Sequence, residues 1–161
     1  MSAELDELYQ SIILDHNRRP KNFRAMEDAS AMAEGLNPLC GDQLKVWVKL
    51  DGDTLADVSF QGQGCAISKA SASMMTQIVK GKSRAEAEKL FEDVHALVTG
   101  HPTGADVGSL KSLSGVSKFP LRVKCASLAW HAMKSALASG GAASTVSTEG
   151  EGPDAATGSG A

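Results

Sequence analysis

Leu5, Leu8 and Ile12, with Tyr9 and Ile13 beside them, recur at helical spacing through about residue 17, where Arg18-Arg19-Pro20 stops the pattern. The spacing predicts an opening helix, followed by a loop carrying Pro20, Asn22 and Asn37-Pro38. The period then shortens. Leu44, Val46, Val48 and Leu50 alternate with polar residues, Asp51-Gly52-Asp53 interrupts, and Leu55, Val58 and Phe60 follow, which predicts a β-hairpin turning at Asp-Gly. From Ala66 to about Lys80, Ile67, Ala70, Met74 and Ile78 return to helical spacing on one face, among small residues that permit close packing. Gly81-Lys82 ends that helix, and Ser83-Arg84-Ala85-Glu86 is a capping box for another, with Ala87, Leu90, Phe91, Val94 and Leu97 or Val98 on its apolar face. Thr99 to Asp106 reads as a loop, and Leu110, Leu113, Val116 and Phe119 as core contacts in an irregular stretch. Pro120 suits the first turn of a last helix, continued by Leu121, Leu128, Ala129, Ala132, Ala136 and Leu137.

Composition bounds this picture. At 161 residues with 42% hydrophobic content, the chain can bury one core and is short for two domains. Residues 1–138 are expected to form that domain. Ser139 to Ala161, rich in Gly, Ala, Ser and Thr with Val146 as its one larger apolar side chain, is expected to be a disordered tail. The tail holds three acids, Glu149, Glu151 and Asp154, and no cation, so residues 1–138 carry all 16 Lys and Arg against an equal number of acids. A neutral folded part gives no nucleic-acid footprint. No apolar stretch has the length and flanks of a signal peptide or membrane span, and the cysteines are odd in number. Both point to free thiols in a reducing cytoplasm.

The chemistry concentrates in the three cysteines. Cys40 lies in Asn37-Pro38-Leu39-Cys40-Gly41-Asp42, Cys65 in Gly62-Gln63-Gly64-Cys65, and Cys125 in Arg122-Val123-Lys124-Cys125. Their spacing is too long for a zinc finger, whose ligands come in close pairs. Three thiolates with Asp42 would nonetheless make a four-ligand metal site if the fold brings them together. The hairpin favours this, because Cys40-Gly41-Asp42 leads into one strand and Gly62 to Cys65 leaves the other at the same edge. Cys65 at a helix start, and Cys125 within about two turns of one, would feel the positive end of the helix dipole, which favours thiolate. Three thiolates and a carboxylate around a divalent ion carry a net charge of about −2, which Arg122 and Lys124 would offset. Taken singly, each cysteine also fits a small buried apolar residue, Asp42 an Asx turn and Met74-Met75 the core. His16 reads as a cap at the end of the first helix, and His95, His101 and His131 have no cysteine near them in sequence.

Taken together, the segments Leu8-Tyr9 to Asp15-His16, Pro20-x-Asn22, Asn37-Pro38-x-Cys40-Gly41-Asp42, Gly62-x-Gly64-Cys65-Ala66-Ile67-Ser68 through Met75, and Gly115-Val116-Ser117-Lys118-Phe119-Pro120-x-Arg122-x-Lys124-Cys125-Ala126 resemble the IscU/NifU-N superfamily, and within it the SufU branch. The resemblance covers about residues 5–137. Lys124 stands where the IscU type has a His, and the region from Gly81 to Asp106 holds an insertion that the IscU type lacks. The resemblance implies an α+β fold, a small antiparallel sheet of the hairpin plus a short strand packed against several helices. It implies zinc held by Cys40, Asp42, Cys65 and Cys125. It also implies sulfur transfer from a SufS-type, pyridoxal-phosphate cysteine desulfurase toward downstream Suf cluster-assembly proteins. Zinc would keep the thiols deprotonated until the desulfurase supplies a competing ligand. Cys40, on the Pro-Gly loop, is the expected sulfur acceptor, Arg122 the group that steadies its thiolate or persulfide, and Lys124 a charge compensator. The alternative is a scaffold holding iron or a [2Fe-2S] cluster on the same ligands.

Overall fold

A computed structural model describes residues 3–101, 107–138 and 144–147, with side chains from residue 7 onward. Its centre is the alternation in β2 (Asp42–Asp51). Leu44, Val46 and Val48 are fully buried on one face while Gln43, Lys45 and Lys49 face out. Each such burial contributes about 1.5–3 kcal/mol. β2 pairs antiparallel with β3 (Thr54–Gln63) from Gln43↔Gln63 to Asp51↔Thr54, which closes the expected hairpin over Gly52-Asp53.

A further strand, β1 (Ala31–Asn37), lies antiparallel on the other side of β2, in the stretch that the sequence presents as a loop. Its inward positions are Ala31, Ala33, Gly35 and Asn37. They are small because a helix passes close over them: a Cβ on Gly35 would sit 3.0 Å from Leu128 Cδ1. That helix is α4 (Pro120–Ala138), which begins with Pro120 as expected. Beside α4 lies α2 (Ala66–Val79), and the two join through a buried bond from Ser71 Oγ to the Ala126 carbonyl, 2.6 Å long. The core fills the space between the inner sheet face and these helices, with Phe60, Leu44, Met74, Met75, Leu128, Trp130 and Met133 buried in it.

The periphery follows local signals. α1 is Ala3–Arg18, and α3 (Arg84–Val98) opens on the expected capping box, with Glu86 N–H donating to Ser83 Oγ and Ser83 N–H to Glu86 Oε1. Such a cap contributes about 0.5–2 kcal/mol. The irregular stretch is a 3-10 segment, Gly108–Lys118, that buries Leu110, Leu113 and Val116. Two residues read as apolar packing positions, Phe119 and Leu121, are instead 59% and 54% exposed. They flank the start of α4, where no other described element covers them as core. Part of the expected tail is also ordered. Ser144–Ser147 forms β4, parallel to β1 at the sheet edge, giving the order β3-β2-β1-β4. The unpaired edge of β1 supplies the ladder partners, Val146 packs against the core, and Ser144 Oγ bonds Ser135 Oγ at 2.7 Å. The rest of the tail lies outside the described residues, as does most of the loop expected at 99–106.

His16 does not cap α1. It is buried, and its Nδ1 lies 2.7 Å from Ser73 Oγ in α2. Ser73 Oγ already accepts Lys21 N–H at 2.7 Å, so its own proton is available to a neutral Nδ1. Burial lowers the His16 pKa from 6.5, Asp15 opposes this, and the charge of Lys21 adds to it. The unfolded chain therefore takes up this proton first on acidification. The stabilising contribution is complete above about pH 6.5 and is lost as pH falls through the lowered folded value. Thermal unfolding between pH 7.5 and 5.5 should show the midpoint falling more steeply for the wild type than for His16→Gln; equal slopes would reject the assignment.

Candidate metal centre

The site begins with a turn. Asn37 ends β1 and pairs with Asp42, the first residue of β2, and the Asn37 carbonyl accepts Cys40 N–H at 3.2 Å. Pro38 occupies the second position of this β-turn, which its fixed φ suits, and Gly41 follows at φ 73° in the left-handed region. The turn sets Cys40 half-buried at its tip and drives Asp42 inward to 2% exposure.

At the same sheet edge, β3 ends opposite Gln43, so that Gly64 and Cys65 come beside Asp42. Cys65 N–H donates to Asp42 Oδ1 at 2.8 Å. Gly64 permits this approach, since a Cβ there would stand 2.6 Å from Asp42 Oδ1. Cys65 is also the N-cap of α2, with Ser68 N–H donating to its Sγ at 3.4 Å. Cys125 comes from α4. It is fully buried, with Sγ 3.3 Å from Cys40 Sγ and 3.4 Å from Asn37 Nδ2, which also donates to Asp42 Oδ2 at 3.2 Å.

The ligand atoms of Cys40, Asp42 and Cys125 all lie within 4.8 Å of one another. Two thiolates on one tetrahedral zinc stand about 3.8 Å apart, from a Zn–S bond of about 2.3 Å. The three groups therefore already have close to the spacing that a zinc requires, and their soft sulfurs suit zinc or iron. Cys65 stands outside that group of three but is tied to it through Asp42.

The thiols are not equivalent. A hydrogen bond from Cys125 brings the Cys65 pKa down to about 6. Burial and Asp42 oppose this, while the N–H groups of Ser68 and Ile67 at the start of α2 assist. Cys125 moves the other way. Its proton is held by the bond to Cys65, by burial, and by Cys40 and Asp42. The expected dipole effect thus reaches Cys65, at the helix start, while Cys125, sixth in α4, is governed by its neighbours. Arg122 is exposed, and its pKa is raised chiefly by the charge of Cys65, with loss of hydration working slightly against this. Lys124 precedes Cys125 on α4 and is half-buried.

Sequence reasoning gave no role to Asn37, which reads as a turn residue before proline. It also missed an apolar rim. Leu39, beside Cys40, is 60% exposed, and Phe119 and Leu121 flank the start of the helix that carries Arg122 and Cys125.

Residues 8–142 match the family described as NifU-like N terminal domain. The chain belongs to this family. It is 44% identical over 142 residues to the zinc-dependent sulfurtransferase SufU of Bacillus subtilis (strain 168), covering 85% of this chain and 94% of that protein. It is 41% identical over 137 residues to the iron-sulfur cluster assembly scaffold protein IscU of Streptococcus pyogenes serotype M1, covering 84% and 86%. Among solved structures it resembles a putative iron-sulfur cluster assembly scaffold protein for the SUF system from Fervidobacterium islandicum AW-1. The TM-score is 0.76 at 32% identity, covering 84% of this chain and 99% of that one. The family and its α+β architecture agree with the expectation from the motifs.

Two outcomes follow from the geometry. In metal-free protein at pH 7, a small alkylating agent should modify Cys65 before Cys125, because the first is mostly thiolate and the second buried and protonated; peptide mapping by mass spectrometry reads the order. Gly64→Ala should displace the Asp42 carboxylate and cost about 1–3 kcal/mol, seen as a lower denaturant midpoint, together with weaker metal binding. An unaffected midpoint would mean that the close approach is not a constraint.

Proposed function

We propose that this protein carries sulfur in iron-sulfur cluster assembly: it accepts the persulfide sulfur of a SufS-type, pyridoxal-phosphate cysteine desulfurase on Cys40 and hands it to downstream Suf cluster-assembly proteins. The observation that carries this reading is the convergence of Cys40, Asp42 and Cys125 within 4.8 Å, with Cys65 bound to Asp42 beside them. The relative named a zinc-dependent sulfurtransferase supports it. Cys40, Asp42, Cys65 and Cys125 are the residues that would hold zinc. A zinc bound there keeps its thiol ligands deprotonated at neutral pH.

The chain's own groups supply the remaining steps. Cys40 sits at the tip of a turn rather than within a helix, so its thiol can advance with a small change of backbone. Its thiolate attacks the terminal sulfur of the desulfurase persulfide. A new S–S bond forms on Cys40, the old one breaks, and the electron pair leaves on the partner's cysteine as thiolate. Arg122, exposed beside the thiols, offers a fixed cation to the anionic thiolate or persulfide. Lys124 adds positive charge on the same turn of α4. Leu39, Phe119 and Leu121, more than half exposed around the site, offer an apolar rim that a desulfurase surface can cover, excluding water during transfer. Among the described residues no helix is long and apolar enough to cross a membrane.

A second reading draws on the relative named as a scaffold at 41% identity. Three thiols and a carboxylate can also hold an iron-sulfur cluster while it is built. The deciding experiment is elemental analysis of anaerobically purified protein, paired with mass spectrometry after incubation with a SufS-type desulfurase and cysteine. Sulfur transfer predicts one zinc per chain and an adduct of about 32 Da, one sulfur atom, that is absent from Cys40→Ala. Iron with labile sulfide and no stable adduct selects the scaffold. Full sulfur uptake by Cys40→Ala rejects Cys40 as acceptor.

A further inference from the structure

One side chain touches the candidate ligands without being able to ligate a metal through the atom that it presents. Asn37 is fully buried, and its amide Nδ2 donates to Asp42 Oδ2 at 3.2 Å and to Cys125 Sγ at 3.4 Å. An amide NH2 carries two protons and no lone pair available for a metal, so these two bonds use its donors on two ligand atoms. Its backbone carbonyl meanwhile accepts Cys40 N–H. The residue thus reaches three of the four proposed ligands, two by side chain and one by main chain.

The three contacts have different consequences. Asp42 has a donor on each oxygen, Cys65 N–H on Oδ1 and Asn37 Nδ2 on Oδ2, which fixes the carboxylate plane while leaving lone pairs free. Cys125 Sγ is held by the amide within a fully buried helix face. For Cys40 the clasp is on the backbone, and its Sγ meets Cys125 Sγ on a turn that ends in left-handed Gly41. We propose that Asn37 is a positioning residue that sorts the ligands: its side chain fixes Asp42 and Cys125 and leaves the Cys40 thiol free to exchange. This rests on the metal-site reading above.

Hydrogen bonds to metal ligands orient them and tune the metal, and their removal costs about 10–100-fold in affinity. An N–H···S bond also withdraws charge from the sulfur, so its loss makes the thiolate a stronger electron donor. The test compares wild type with Asn37→Leu, which keeps the volume and removes both donors. Asn37→Ser, too short to reach Cys125, serves in its place should the leucine variant not fold by circular dichroism. Three readouts apply: zinc affinity by competition with a chromophoric chelator, the thiolate-to-cobalt charge-transfer band of cobalt-loaded protein, and the order of thiol alkylation in zinc-loaded protein.

The proposal expects affinity to fall about tenfold or more and the cobalt band to move to lower energy. It also expects the lead of Cys40 over Cys125 in alkylation to shrink by a similar factor. A folded variant with wild-type affinity, band position and alkylation order overturns the role of Asn37 and leaves the metal site standing. Wild-type protein that gives no thiolate-to-cobalt band overturns the metal site and the proposal with it.

Discussion

The hydrogen bond from Cys65 N–H to Asp42 Oδ1 is the tie on which the rest of the site depends. It joins the first residue of β2 to the residue that starts α2, two points 23 positions apart in the chain. Burying a carboxylate costs several kcal/mol unless its oxygens find donors. Here Cys65 supplies one and Asn37 the other, so the cost is offset only when β1, β2 and the start of α2 are assembled together. The hairpin makes this possible: β2 begins and β3 ends at one edge, and the missing Cβ of Gly64 leaves room for the carboxylate. A local contact of 2.8 Å thereby fixes the relation of three elements.

The same geometry makes three chemically identical thiols unequal. Cys65, with backbone N–H groups of α2 and the Cys125 proton directed at it, is the anionic member near neutral pH. Cys125, buried with Cys65, Cys40 and Asp42 about it to hold its proton, is the protonated one. Arg122 answers the resulting negative charge from the solvent side. A cation that binds all the thiols must displace the Cys125 proton, so metal uptake at this site is coupled to proton release. Such coupling resists loading at acidic pH and stabilises the loaded form as pH rises.

How much of this was legible depended on the size of the signal each residue leaves. The β2–β3 hairpin, the start of α2 at Cys65, the capped α3 and the Pro120 start of α4 were all plain, because large alternating side chains, a cap or a proline marks each. β1 was not. Its inward positions are Ala, Gly and Asn, chosen to admit α4, and small residues leave no hydrophobic alternation to read. β4 was hidden for a related reason, since four residues of Ser, Thr and Val carry too little apolar mass without the free β1 edge that pairs with them. Phe119 and Leu121 misled in the opposite sense: large apolar residues around a helix start imply core contacts, but here both are more than half exposed. The cysteines and Asp42 stood out because their motifs are unusual. Asn37 did not, because an Asn before Pro already has a sufficient explanation as a turn former.

The exposure of Leu39, Phe119 and Leu121 also bears on why Cys40, the acceptor proposed above, lies on a turn. A helix-borne cysteine such as Cys125 can move only with its helix, whose inner face is packed against β1 and β2, and interiors of this density do not yield by small amounts. The Asn37–Asp42 turn has only its two ends fixed in the sheet, and its middle residues Pro38, Leu39 and Gly41 face solvent. Its tip can therefore shift without disturbing the core, and the apolar Leu39 next to Cys40 gives an approaching partner a hydrophobic hold on the same segment that carries the thiol. On the proposed reading, recognition and release of Cys40 act on the segment from Pro38 to Gly41, while Asp42 and the two helix-borne thiols stay anchored behind it.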